Sequence, residues 1–199
     1  MERSYKEAVK HRRSCYAITN RSPIGEAEIE ERVRWTIAHV PSAFNSQSSR
    51  LVLLLGEHHP KLWRLVRETL RGIVPPEAFA ATEQKIGSFA AGYGTVLYFE
   101  DESVVKDLQE RYPAYAENFP VWSAQTSAMH QITLWTLLDD AGLGASLQHY
   151  NPLIDREVSR IWALPAAWRL IAQMPFGAPA GAAAPKTFLP VEDRIRVFK

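Results

Sequence analysis

Residues 118–138 contain no Asp, Glu, Lys or Arg, in a chain whose charged residues make up 23% of the total. As a helix such a run is long enough to cross a bilayer. It also holds Ser123, Gln125, Thr126, Ser127, His130, Gln131, Thr133 and Thr136, and that many polar side chains would be costly in lipid. The reading that satisfies both facts is a helix over residues 120–141, covered on nearly all sides within a domain core or a subunit interface. Gly142-Leu143-Gly144 would stop it. One small sheet barely covers so much uncharged surface, so a second chain is expected against it.

The rest of the chain reads as helices around few strands. Helices are expected over residues 25–39 (Ile29, Val33 and Ile37 at helical spacing), 60–71, 76–91 and 152–161, with an N-terminal helix ending near Ser14. Residues 50–56, 95–99, 145–148 and 169–174 read as strands, with a short acidic helix opening at Glu100-Asp101-Glu102. The pattern predicts an α+β fold in a single domain over residues 1–199, with helices packed around one small sheet.

Charge excludes some partners. Lys and Arg number 23 against 22 Asp and Glu, a net charge of +1, so nothing drives wholesale binding to nucleic acid or anionic membrane. The balance is uneven, however. Residues 1–13 carry five cations and two carboxylates, and residues 101–117 carry two cations and five carboxylates. Cys15 is the single cysteine, which excludes an intrachain disulfide and a Cys-based metal site and fits a reducing, cytoplasmic compartment. The N-terminus lacks the apolar run of a signal peptide.

Several motifs have a plain structural reading. Gly142-Leu-Gly144 is not a dinucleotide fingerprint, because Leu147 occupies the third glycine position and a helix precedes it. Gln148 likewise stands where a nucleophile elbow needs glycine. His58-His59 precedes Pro60 and reads as a solvated loop, His130 as a core histidine with a satisfied hydrogen bond, and no metal site is expected. The basic cluster is more informative: Arg12, Arg13 and Ser14 end the first helix, and two adjacent guanidinium groups with a hydroxyl can clamp an anion or an oxygen-rich ring.

Arg12-Arg13-Ser14 and Pro41-Ser42-Ala43-Phe44-Asn45-Ser46-Gln47 together resemble the two leading cofactor motifs of the nitroreductase family of FMN-dependent oxidoreductases. Residues 142–152, which include Leu147, Gln148 and His149, resemble the family segment that lies along the flavin. Residues 184–190, around Lys186, resemble the stretch that grips its phosphate. With Gly92-Tyr93-Gly94-Thr95-Val96-Leu97-Tyr98-Phe99 upstream, the chain is most similar to the fatty-acid-repression-mutant-like branch.

The resemblance implies a mostly antiparallel sheet in an intertwined homodimer with exchanged C-terminal arms and FMN at the subunit interface. Arg12, Arg13 and Ser14, with Tyr16 in the same segment, would bind the flavin ring, ribityl chain and phosphate. Pro41, Ser42, Ala43, Asn45 and Gln47 would reach it from the partner subunit. Leu147, Gln148 and His149 would line the ring near N5, and Lys186 would pair with the phosphate. NADH or NADPH would reduce the flavin, and a nitroaromatic or quinone-type acceptor would reoxidise it in ping-pong fashion, with no side chain acting as nucleophile. Tyr16 stands where many relatives carry a further basic residue, and Phe188 where Arg is usual. A non-catalytic, flavin- or lipid-responsive regulatory dimer with the same fold is the alternative.

Overall fold

A computed structural model describes residues 3–183 and 185–199. Met1 and Glu2 of the basic segment, and Ala184 at the head of the Lys186 motif, lie outside the described residues. The elements are α1 (Tyr5–His11), β1 (Ile18–Thr19), α2 (Glu26–His39), β2 (Ser49–Leu54), α3 (His58–Arg71), α4 (Pro76–Ala90), β3 (Gly94–Asp101), α5 (Glu102–Arg111), α6 (Asn118–Asp140), β4 (Gly144–Ala145), α7 (Asp155–Ile161) and β5 (Trp168–Pro179). The sheet is antiparallel throughout, in the order β1-β5-β3-β2 with β4 paired to β5, which leaves β2 as an open edge.

Every residue of β3 is buried, because helices cover both faces of the sheet. Val96 and Tyr98 point to one face and pack with Ile29 and Val33 of α2 and Leu134 and Leu138 of α6. Leu97 and Phe99 point to the other, against Leu62, Trp63, Ile86, Phe89 and Val158. This alternation is the period of two that a strand covered on both sides must satisfy.

The charge-free helix is α6, and it stops as its glycine requires. Gly142 has φ 86°, its N–H donates to Asp139 O at 3.0 Å, and Leu143 N–H donates to Leu138 O at 2.9 Å. These two bonds close a Schellman turn. The last turn of α6 carries Asp139 and Asp140, the wrong sign for a helix C-terminus. Arg3 answers Asp140 at 3.2 Å and His11 answers Asp139 at 2.6 Å, which fastens the start of the chain to α6.

Several elements differ from the sequence reading. β5 runs for 12 residues, well beyond residues 169–174. Helix α7 starts at Asp155, three residues after Pro152. Glu100 and Asp101 end β3; Asp101 also caps the acidic helix, which starts at Glu102, whereas Glu100 takes no part in it. His58 and His59 lie on α3 and not in a loop. His59 is buried; its Nε2–H donates to Ala90 O (3.3 Å), and its Nδ1 accepts from Thr95 Oγ1 (2.8 Å). Trp63 Nε1–H completes the network by donating to the same hydroxyl at 3.0 Å.

Candidate functional site

The sequence-selected residues gather in two places. The first lies where the chain leaves α1. Arg12 caps that helix, its N–H donating to Ala8 O. Ser14 bridges Ala145 in parallel, and Cys15 N–H donates to Ala145 O at 2.9 Å. Gly144 permits the approach, because a Cβ there would lie 2.7 Å from Cys15 Sγ. Beyond β4 the chain stays beside β5: Gln148 and Gln173 exchange both main-chain hydrogen bonds, at 2.7 and 2.9 Å. Strand pairing thus sets Arg12, Arg13 and Ser14 on the same side of the molecule as Leu147, Gln148 and His149. Tyr16 is half exposed and its ring packs toward Phe89 at 6.3 Å.

The electrostatics here are unusual. The Arg12 guanidinium lies 4.2 Å from the centre of the Trp135 ring, a cation–π contact. Burial lowers its pKa, opposed by Asp139 and reinforced by Arg13. Arg12 Nε and Trp135 Nε1 are both buried donors without a hydrogen-bond partner. Buried donors are normally satisfied, so two of them side by side mark unused binding capacity. Trp135 was not singled out from the sequence; its indole meets Arg12 only because α6 crosses α1.

The second place is the segment 41–47. Phe44, Asn45 and Gln47 have φ of 57°, 49° and 49°, the left-handed region that costs L-residues about 1–2 kcal/mol each. Phe44, though half exposed, packs against four rings, stacking on Trp122 at 5.8 Å and meeting Tyr112, Tyr115 and Phe119 at 5.0, 5.8 and 5.3 Å. Gln47 N–H donates to Ser42 Oγ at 3.0 Å, and Arg50 donates to Gln47 O at 2.6 Å and to Asp101 at 3.0 Å. Ser42 and Gln47 line a cleft of about 410 Å³ with Val40, Ser49, Arg50 and His130. His130 is buried as expected, bonded through Nδ1 to Thr126 O at 2.9 Å. Burial lowers its pKa, against the opposing pull of Thr126 O and Glu100.

One chain does not bring the two places together. Arg12 touches α6 at Trp135 and Phe44 touches it at Trp122, 135 − 122 = 13 residues apart, or about 20 Å along a helix. Lys186 joins neither group: it forms no hydrogen bond or ion pair among the described residues, and its ammonium lies 5.0 Å from the Phe188 ring. Chemically, the first place offers cations and free N–H donors, and the second a rigid polar turn. Neither contains a nucleophile paired with a base, and the described residues hold no group of three or more His, Cys, Asp or Glu able to bind a metal.

The chain as a whole is similar to proteins of a known class. Residues 9–178 match the Nitroreductase family, and the chain belongs to it. It is 34% identical over 188 residues to the nitroreductase FRM2 of Saccharomyces cerevisiae, covering 94% of this chain and 93% of that one. It superposes on the nitroreductase CinD of Lactococcus lactis, solved with chloramphenicol, with a TM-score of 0.91 and 42% identity over 98% of this chain and all of that one. CinD has also been solved with 4-nitrophenol. A putative nitroreductase from Exiguobacterium sibiricum, solved in complex with FMN, shares the fold at 13% identity (TM-score 0.74, covering 100% and 99% of the two chains). The resemblance to the nitroreductase family, and within it to the fatty-acid-repression-mutant-like branch, is therefore borne out.

Proposed function

We propose that this protein is an FMN-dependent NAD(P)H oxidoreductase that reduces nitroaromatic or quinone-type acceptors. The observation that carries the reading is the pair of orphaned donors, Arg12 Nε and Trp135 Nε1, the first belonging to a half-buried guanidinium that lies against the second residue's indole ring. An anionic, oxygen-rich ring system supplies the acceptors they lack. FMN, when bound, supplies hydride and electron transfer between the nicotinamide and the acceptor in two successive half-reactions. Arg12 and Arg13 would hold the negative charge that develops at the pyrimidine edge of the reduced cofactor. Ser14 and Lys186 would hold phosphate, and Leu147, Gln148 and His149 would border the ring. Ser42, Asn45 and Gln47, with Pro41 and Ala43 shaping the turn, would close the other side.

The two half-sites meet in a homodimer. The buried side of α6 includes Ser123, Thr126, Ser127, His130 and Gln131, whereas the solvent side bears Val121, Ala124, Ala128, Met129 and Ile132. A helix with apolar residues on its outer face lacks a partner. A second α6 running antiparallel would bring the Phe44 end of one chain to the Arg12 end of the other. The C-terminal arm is in the same condition, with Phe188 75%, Leu189 71%, Val197 67% and Phe198 93% exposed, and exchange between protomers would cover it. Each chain is then one FMN-binding domain, in keeping with a cytoplasmic enzyme of small-molecule metabolism. No helix among the described residues is long and apolar enough to cross a membrane.

The test is direct. Purified protein should bind FMN and turn yellow, be bleached anaerobically by NADH or NADPH, and recover its colour on addition of 4-nitrophenol or a quinone. A protein that binds no FMN overturns the reading. One that binds FMN tightly but turns over with neither nicotinamide supports the regulatory alternative.

A further inference from the structure

The segment 41–47 holds three left-handed residues, none of them glycine, so something must oppose its relaxation. The strongest candidate lies beneath it. Glu100 is fully buried, and its carboxylate accepts three hydroxyl hydrogen bonds: Ser48 at 2.6 Å, Ser49 at 2.5 Å and Ser123 at 2.7 Å. Charge-assisted bonds of this length are strong. A buried carboxylate is otherwise costly, and the central residues 96–99 of β3 are apolar or aromatic.

The three partners explain the expense. Ser48 directly follows Gln47, the last residue of the strained turn, and Ser49 opens β2 opposite Glu100. Ser123 stands on α6, one residue after Trp122 and four after Phe119, two of the rings that enclose Phe44. One carboxylate therefore ties the exit of the turn to the wall that holds its middle. The next residue, Asp101, repeats the device from the neighbouring position on β3, holding Arg50 and through it Gln47 O.

We infer that Glu100 is the positioning residue of the cofactor-binding turn, holding Ser42, Asn45 and Gln47 in place before the cofactor arrives. The inference rests on the assignment of the turn to FMN binding. It is tested with Glu100→Gln, Ser48→Ala and Ser123→Ala, and with Val158→Ala as a control for lost stability; Val158 is buried on the other face of the sheet. Three quantities are read: FMN affinity by fluorescence titration of the apoprotein, hydrogen exchange at the Gln47 amide without FMN, and kcat at saturating FMN.

Loss of a charged hydrogen bond should weaken FMN binding about tenfold in Glu100→Gln and somewhat less in each serine variant. Exchange at Gln47 should quicken in all three, kcat at saturating FMN should stay within about twofold, and Val158→Ala should lower Tm without moving the affinity. Unchanged affinity and exchange in variants that merely melt earlier overturn the inference, as does an equal affinity loss in Val158→Ala. If Glu100→Gln fails to fold, the serine variants decide. Wild-type protein that binds no FMN defeats the cofactor assignment instead, and exchange at Gln47 then decides alone whether Glu100 orders the turn.

Discussion

At the Arg12 end the backbone is fixed by strand pairing and the side chains keep unmet hydrogen-bonding capacity. At the Phe44 end the side chains do the fixing, through an aromatic cage and a set of hydroxyl and guanidinium bonds, while the backbone is held in a costly shape. In the proposed site the first half would recognise charge and the second would supply form. Each is complete as a piece of folding and, in the proposed site, would need the other, yet about 20 Å of α6 separates them within one chain. That separation makes dimerisation a chemical requirement of the proposed activity as well as a means of covering apolar surface.

The largest effect should come from keeping the halves apart. Ala128→Arg places a charge on the exposed face of α6 without touching either half. Sedimentation should show a monomer, and FMN binding should be lost. A dimer with normal FMN content would mean that this face is not the interface.

Acid should act through a buried network on the α3 and α4 side of the sheet, which carries none of the proposed cofactor-binding residues and so serves as a reference. Burial lowers the pKa of His59 from 6.5 to about 4, partly offset by the carbonyls of Ala90 and Phe89. The unfolded chain therefore takes up the proton first. The stabilisation is complete above pH 6.5, declines as pH falls toward 4 and is flat below, a total of about 3 kcal/mol at 1.36 kcal/mol per pH unit. Urea titrations across that range should show the loss, and His59→Gln should flatten the profile.

Arg12→Ala should weaken FMN binding about thirtyfold, the value of a charge-assisted hydrogen bond, with Tm lowered modestly because the cation–π contact with Trp135 is lost while its Nε has no hydrogen bond to lose. Phe44→Ala should weaken it about tenfold through release of the turn, given ring contacts worth about 1 kcal/mol each. If Phe44→Ala cost more than Arg12→Ala in the same titration, form would outweigh charge and the contrast between the halves would be reversed.

How much of this was legible in sequence depended on distance along the chain. The charge-free helix, its glycine stop and the Arg12-Arg13-Ser14 cluster are local patterns, and the structure shows them where they were expected. His59 was misread because its partner Thr95 lies 36 residues away. Glu100 read as the start of an acidic helix because its hydroxyl partners come from positions 52, 51 and 23 residues distant. β5 looked shorter than it is because Pro175 and Gly177 interrupt its apolar pattern, yet both are accommodated by pairing with β3 and β4. The motif residues could be picked out by type and order, and the resemblance assigned segments 12–14 and 41–47 to different subunits, but their anchoring at opposite ends of α6 is a property of tertiary structure.

The shared site is tested most directly by mixing two defective chains. One carries Arg12→Ala and Arg13→Ala, the other Asn45→Ala and Gln47→Ala, and each alone should bind FMN poorly. When the two are co-expressed and the heterodimer is isolated, one of its two sites combines an intact Arg12 segment with an intact turn. The expected result is one tightly bound FMN per heterodimer. A heterodimer that binds FMN no better than either parent would contradict a site shared between chains.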